Sequence, residues 1–195
     1  MELSPSMVVE VASNSAAGFG LRLAARVIDL LFGVVAVASG GWLGALALRV
    51  LEGHGSVREG VHAVRLTSPA IIAWSLLGAL LCYVTAEAVG GATLGKTLLR
   101  LRVTSEDLTP STFKGALLRN LALCVDALGV PAYRAMAHSL MSQRYGDQWG
   151  HTVVLHASAV PPDSRKGLGL LILGLFSGSV LWALWVALFV VIRGL

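Results

Sequence analysis

Three stretches of this 195-residue chain carry no charged side chain: Leu30–Leu48, Leu66–Ala86 and Gly167–Ile192. A helix needs about 20 mostly apolar residues to cross the hydrocarbon core of a bilayer. Inside lipid the backbone must satisfy its own hydrogen bonds, which leaves helices or closed barrels as the spanning structures. The runs are continuously apolar, without the two-residue alternation of a barrel strand, so they predict three spanning helices. Val27-Ile28 extends the first run backward and leaves Asp29 embedded near its start. Arg22 and Arg26 sit in its opening turns and no small-residue cleavage site follows, so it does not read as a signal peptide.

Composition agrees. Hydrophobic residues make up 55% of the chain and charged residues 13%, against about 45–50% and 25% in soluble domains. That excludes a disordered chain and disfavours a water-soluble one. The formal charge is +4, but the cations are scattered between apolar blocks. No dense basic tract with interleaved aromatics marks a nucleic-acid partner. Cys82 and Cys124 lie in apolar stretches and read as small buried hydrophobes rather than a disulfide or metal ligands.

A fourth apolar region, Phe113–Leu140, is cut by Arg119, Asp126 and Arg134 and broken by Pro131. Each such charge costs roughly 2.5–3.5 kcal/mol at a bilayer centre. The region therefore reads as two short helices, 112–128 and 131–142, forming an interfacial or re-entrant hairpin; a full crossing is the rival. With the hairpin kept inside, Arg22, Arg26, Lys96, Arg100, Arg102, Lys114, Arg119, Arg134, Arg144, Arg165 and Lys166 fall on the N-terminal side of the membrane. Arg49, Arg58, Arg65 and Arg193 fall on the other. The positive-inside rule then places the N-terminus in the cytoplasm. The stretch 99–104 alternates apolar and polar residues, and 152–155 is a β-branched run. These predict a small β-hairpin-like element on the same cytoplasmic side. The expected fold is thus an all-α integral membrane protein with that small β element added. Residues 1–17 read as a short mobile tail.

Arg22, Arg26 and Asp29 fall on roughly one helical face, and the spacing allows a direct Arg26–Asp29 contact. An acid in a spanning helix is expensive unless paired. One reading is a cation or proton site built from Asp29 and Glu87 and gated by the two arginines. The other is a charge clamp that fixes helix register, and structural ion pairs are the commoner case. Arg144 with Asp147 carries the same ambiguity. Residues 90–97, GGATLGKT, match a phosphate-loop string, but a spanning helix precedes them and a strand follows. The nucleotide mechanism needs the reverse order, strand then helix. Lys96, Arg100 and Arg102 read instead as a set at the lipid headgroups.

Gly40/Gly44 and Gly174/Gly178 are small residues four apart in apolar helices. They serve helix packing within the chain or a homo-oligomer seam. The five histidines show no ligand spacing, and no Ser/His/Asp or Cys/His arrangement marks an enzyme. No metal, cofactor or catalytic residue is expected.

Three segments together resemble the RDD family of bacterial membrane proteins. Residues 18–29, GFGLRLAARVID, are similar to the family's R-x-x-A-x-x-x-D entry into the first helix. Tyr83–Glu87 followed by 91–103, GATLGKTLLRLRV, is similar to its G-x-T-x-G-K stretch. Residues 143–147, QRYGD, leading to Thr152-Val153-Val154, are similar to its R-x-x-D close. Leu21 stands where many members carry a second arginine. The resemblance implies an RDD-like membrane domain over 18–160, with 161–195 as linker and additional C-terminal transmembrane helix. It implies that Arg22, Asp29 and Asp147 are the arginine and aspartates of the family name. It also implies a multi-pass protein of the bacterial cytoplasmic membrane. Cation–proton exchange is attributed to some members. The expected function is an ion-coupled cation/proton transporter or transporter subunit with Asp29 and Glu87 as the titrating groups; the alternative is a non-transporting accessory or assembly protein of a membrane complex. Three spans leave little room for a solvated path in one subunit, so transport would require a homo-oligomer or a larger membrane complex.

Overall fold

The computed structural model describes residues 5–52, 69–126 and 129–194. Its elements run α1 (Pro5–Ser15), α2 (Phe19–Glu52), α3 (Pro69–Gly90), α4 (Leu94–Leu98), β1 (Leu101–Ser105), α5 (Phe113–Leu121), α6 (Leu123–Asp126), α7 (Val130–His138), α8 (Tyr145–Trp149), β2 (Thr152–His156) and α9 (Leu168–Gly194). Among the described residues three helices are long and apolar enough to cross a membrane: Phe19–Val50, Pro69–Gly90 and Leu168–Ile192. The three expected spans are therefore present. α2 starts well before its uncharged run, because Arg22, Arg26 and Asp29 continue the same helix. The chain divides into two compact units, Met1–Asp29 with Tyr83–Leu175, and Leu30–Cys82 with Phe176–Leu195.

The second unit is held by small residues and aromatics. A Cβ built on Gly40 would stand 2.3 Å from the Ala183 carbonyl oxygen, and one on Gly44 2.5 Å from Val190 Cβ. Only glycine lets these backbones approach so closely. Trp182 covers Gly33 and Gly78. Trp74 and Trp185 stack at 4.7 Å between ring centroids, 16° from parallel. Each indole N–H donates to the other residue's carbonyl, at 2.7 and 3.0 Å. These half-buried indoles thus find backbone partners within the protein. Cys82 is half-buried beneath Gly178, not fully buried as expected, and the side chain of Cys124 lies outside the described residues.

The first unit is built on the two-stranded antiparallel sheet, with Val103 opposite Val154 and Thr104 opposite Val153. Alternation sends successive side chains to opposite faces. Val154 joins Leu101, Val103, Ala17 and Ala25 on one face. Val153 and Leu155 join Leu108, Val160 and Ala12 on the other. Both faces are covered, which is why the sequence of β2 is apolar without alternation.

The expected tail is corrected here. Residues 5–15 form α1, whose Val8, Val11 and Ala12 pack on Val153 and Leu155. Val8, Val11 and Ala12 have helical spacing, and Pro5 suits a first helical position. The hairpin region is also more broken than expected. It forms α5, α6 and α7, interrupted at Ala122 and at Gly129, where φ is +72°. The longest pieces have nine residues, about 13 Å at 1.5 Å per residue, so none can span a core of about 30 Å.

Candidate functional site: a buried charge network

The C-terminal end of α3 is where the first unit gathers its polar groups. Ser111 Oγ donates to the Glu87 carbonyl, Lys166 Nζ to that of Ala88, and Arg102 Nη1 to that of Gly90. Helix C-termini leave carbonyls unpaired and favour cations, so two basic side chains there are placed as the dipole asks.

Glu87 points inward from this helix end and is fully buried. Lys96 of α4 is ion-paired to one carboxylate oxygen. Asn120 Nδ2 donates to the other at 3.0 Å, and Arg119 Nε stands 3.5 Å from it. Arg119 is itself 1% exposed. The same Nε lies 3.3 Å from Asp147 Oδ1, so one guanidinium bridges the end of α3 to α8. These are ion-pair contacts rather than aligned hydrogen bonds.

Asp147 gathers the remaining cations. Arg22 of α2 is ion-paired to its Oδ2 and also donates to the carbonyls of Ala17 and Val154. Arg144 contributes its backbone N–H at 3.1 Å and its side-chain Nε at 3.5 Å. Arg144 also lies 3.8 Å from Asp126, which accepts from the Gly146 N–H. Burial opposes the charge of Asp147, but Arg119, Arg144 and Arg22 overcome it and hold the carboxyl below its usual range. Burial likewise opposes the charge of Arg144; Asp147 and Asp126 outweigh it and hold Arg144 above its usual value. Burial raises Asp126. Lys96 is pushed down to about 7 by burial and by the neighbouring Arg119, against the pull of Glu87.

Asp29 stands apart. It accepts from the Thr93 hydroxyl and the Gly95 backbone N–H, both at 2.7 Å, and forms no ion pair with the described residues. The phosphate-loop string thus wraps carboxylates of its own chain: Thr93 and Gly95 hold Asp29, and Lys96 holds Glu87. Gly95 is required there, because a Cβ would lie 2.0 Å from the Ala25 carbonyl oxygen.

Several expectations change. Arg26 does not pair with Asp29; its guanidinium lies over the Tyr83 ring, 4.5 Å from the centroid. Lys96 does not stand with Arg100 and Arg102 at an outer surface but is buried. Arg102 is half-buried, and Arg100 is exposed with φ +55°. Arg22, Glu87, Arg144 and Asp147 do come together. Gly174 packs against Gly90, and Gly178 against Cys82. The residues missed from the sequence are Arg119, Asn120, Asp126 and Thr93. Arg119 and Asp126 carried a usable signal: they stand seven apart, on one helical face, inside an otherwise apolar stretch.

A groove of about 390 Å³ is lined by Glu106, Lys114, Trp149 and His151 among others, and by no residue of the network. Among the described residues no three His, Cys, Asp or Glu side chains gather in a metal-binding group.

The model of the RDD family matches residues 16–194. The chain belongs to the RDD family. The match takes in α9, the helix that the motif resemblance leaves outside the core, while α1 lies before it. No curated protein and no solved structure gives a significant match. With its three span-length apolar helices, this RDD protein is an integral membrane protein. Of the residues that the resemblance assigns to the family name, Arg22 and Asp147 are joined directly, and Asp29 is held separately.

Proposed function

We propose that this RDD protein is a non-transporting accessory or assembly component of a bacterial cytoplasmic membrane complex, and that its charge network is a structural clamp. Arg119 carries the reading. It is buried between Glu87 and Asp147, so the acids bind fixed cations of the protein rather than exchangeable ones. Removing one member of such a buried set costs about 3–5 kcal/mol, whereas an intact set is a register device. The cations expected inside all belong to the first unit. By the positive-inside rule that unit faces the cytoplasm. Because Gly40, Gly44, Gly174 and Gly178 already pack within the chain, a second copy or larger partner would use another surface.

One observation favours a second reading, cation–proton exchange. Asp29 is buried and held by neutral donors alone. A buried carboxylate with no ion pair in direct contact can take up a proton or a cation. Proteoliposomes under a sodium or proton gradient separate the two. The accessory reading expects no flux above that of empty liposomes. Flux in the natural protein that Asp29→Asn abolishes, with folding retained, would overturn it.

A further inference from the structure

The helices α5 and α7 are built inside-out for a water-facing surface. On α5 the polar Arg119 and Asn120 point into the protein with Gly115 and Ala116. Phe113 and Leu121 point outward, with Leu117 half-buried between them at the same helical spacing. Val125 of α6 continues the exposed set. On α7 the small Ala132 and Ala135 are buried with Met136, while Val130 and Tyr133 face out, 68% and 59% exposed. Leu140, just beyond, is 82% exposed. A water-soluble surface helix shows the opposite pattern.

Two further observations say what covers this face. Tyr133 meets Phe19 edge to face, with centroids 5.8 Å apart. Phe19 heads the outward apolar stripe of α2 that continues through Leu23 and Val27. That stripe belongs to a helix of span length, so the outward face of α7 runs on from the outward apolar face of that helix. The charged side chains exposed on α5 and α7 are basic, Lys114 and Arg134, with His138 near by; Lys114 also borders the groove that Glu106 and Asp107 line. An apolar face flanked by cations is the signature of a helix lying in an anionic headgroup layer.

We infer that the outward faces of α5, α6 and α7 form a platform seated on the anionic phospholipid interface of the bilayer that the long helices cross. Phe113, Leu121, Val130 and Tyr133 enter the acyl boundary, and Lys114 and Arg134 meet the phosphates. The inference uses the membrane character of the chain and not the clamp reading, and it holds whether or not the protein transports.

The test places nitroxide labels at Leu121→Cys and Val130→Cys in full-length protein in phosphatidylcholine/phosphatidylglycerol nanodiscs. Cys82→Ala and Cys124→Ala remove the native thiols. Asp107→Cys, in an exposed turn of the same unit, is the control. Power saturation should show oxygen favoured over nickel chelate at 121 and 130, and the reverse at 107. Lys114→Glu with Arg134→Glu should shift the first two toward nickel. Nickel access at 121 and 130 matching that at 107 would overturn the platform. So would shielding from both reagents, the result for a protein partner. If the cysteine-free chain does not fold, the unmodified protein is photolabelled with a diazirine phospholipid. Peptides between Lys114 and Arg134 should label as strongly as those of α2, and absence of label there overturns the inference.

Discussion

The two units solve the same problem with opposite chemistry. In Leu30–Cys82 with Phe176–Leu195, helices meet through glycines and a reciprocal tryptophan pair. In Met1–Asp29 with Tyr83–Leu175, short elements meet through buried ions. Lipid gives no hydrophobic reward for bringing two apolar helices together, so close van der Waals contact must hold them. A unit of short helices and a two-stranded sheet has many free backbone ends and strong directional needs. Charged groups fix those directions, provided every one is paired. Contact in one unit is cheap to shave slightly and costly to overfill. In the other, removing a single charge strands several partners.

The largest expected effect follows from that difference. Arg119→Met leaves Glu87 short of a cation and Asp147 Oδ1 without one. It should destabilise by about 3–5 kcal/mol, read as loss of monodisperse protein or a large fall in thermal midpoint in detergent. Next comes Gly40→Val, which drives a side chain into the Ala183 carbonyl. Overpacking of this kind costs about 1–3 kcal/mol. Gly41→Ala, one residue away with nothing within 4 Å of its Cβ, should stay within about 0.5 kcal/mol. Equal effects at 40 and 41 would break the contrast between the units. Trp74→Phe keeps a ring but removes one indole donor, with an expected loss of about 1 kcal/mol.

The pH dependence should belong to the first unit. Lys96 titrates near 7 in the fold against an ordinary 10.5. The unfolded chain therefore holds more protons between those values, and stability should rise with pH from about 7 toward 10.5. Lys96→Met should flatten that rise in a series of unfolding midpoints. Asp147 has the other sign. Its folded value lies below 3.8, so its contribution is complete above that pH and is lost as pH falls through the folded value.

How much of this was readable in the sequence follows the same division. The spans were readable because lipid demands long uncharged runs, a local property. The strand pair was readable from alternation at 101–104 and β-branching at 152–154. The choice of partners among charges was not, because pairing is decided by tertiary placement. The cost argument that flags Asp29 applies equally to Arg119 and Asp126, yet along the chain these two look only like interruptions of a span. Lys96 looks like an ordinary cation at a helix end until Glu87, nine residues earlier, is seen to fold back over it. The helix of residues 5–15 was hidden for another reason: its apolar face is small, and only the sheet beneath it makes it worth forming.

The clamp is tested most directly by a double-mutant cycle between Arg119 and Asp147, using Arg119→Met, Asp147→Leu and the pair, followed by reversible unfolding in micelles. The double change should cost less than the sum of the two single changes, by a coupling of about 2 kcal/mol. Additivity within about 0.5 kcal/mol would contradict it, leaving the two residues as neighbours that do not hold the fold.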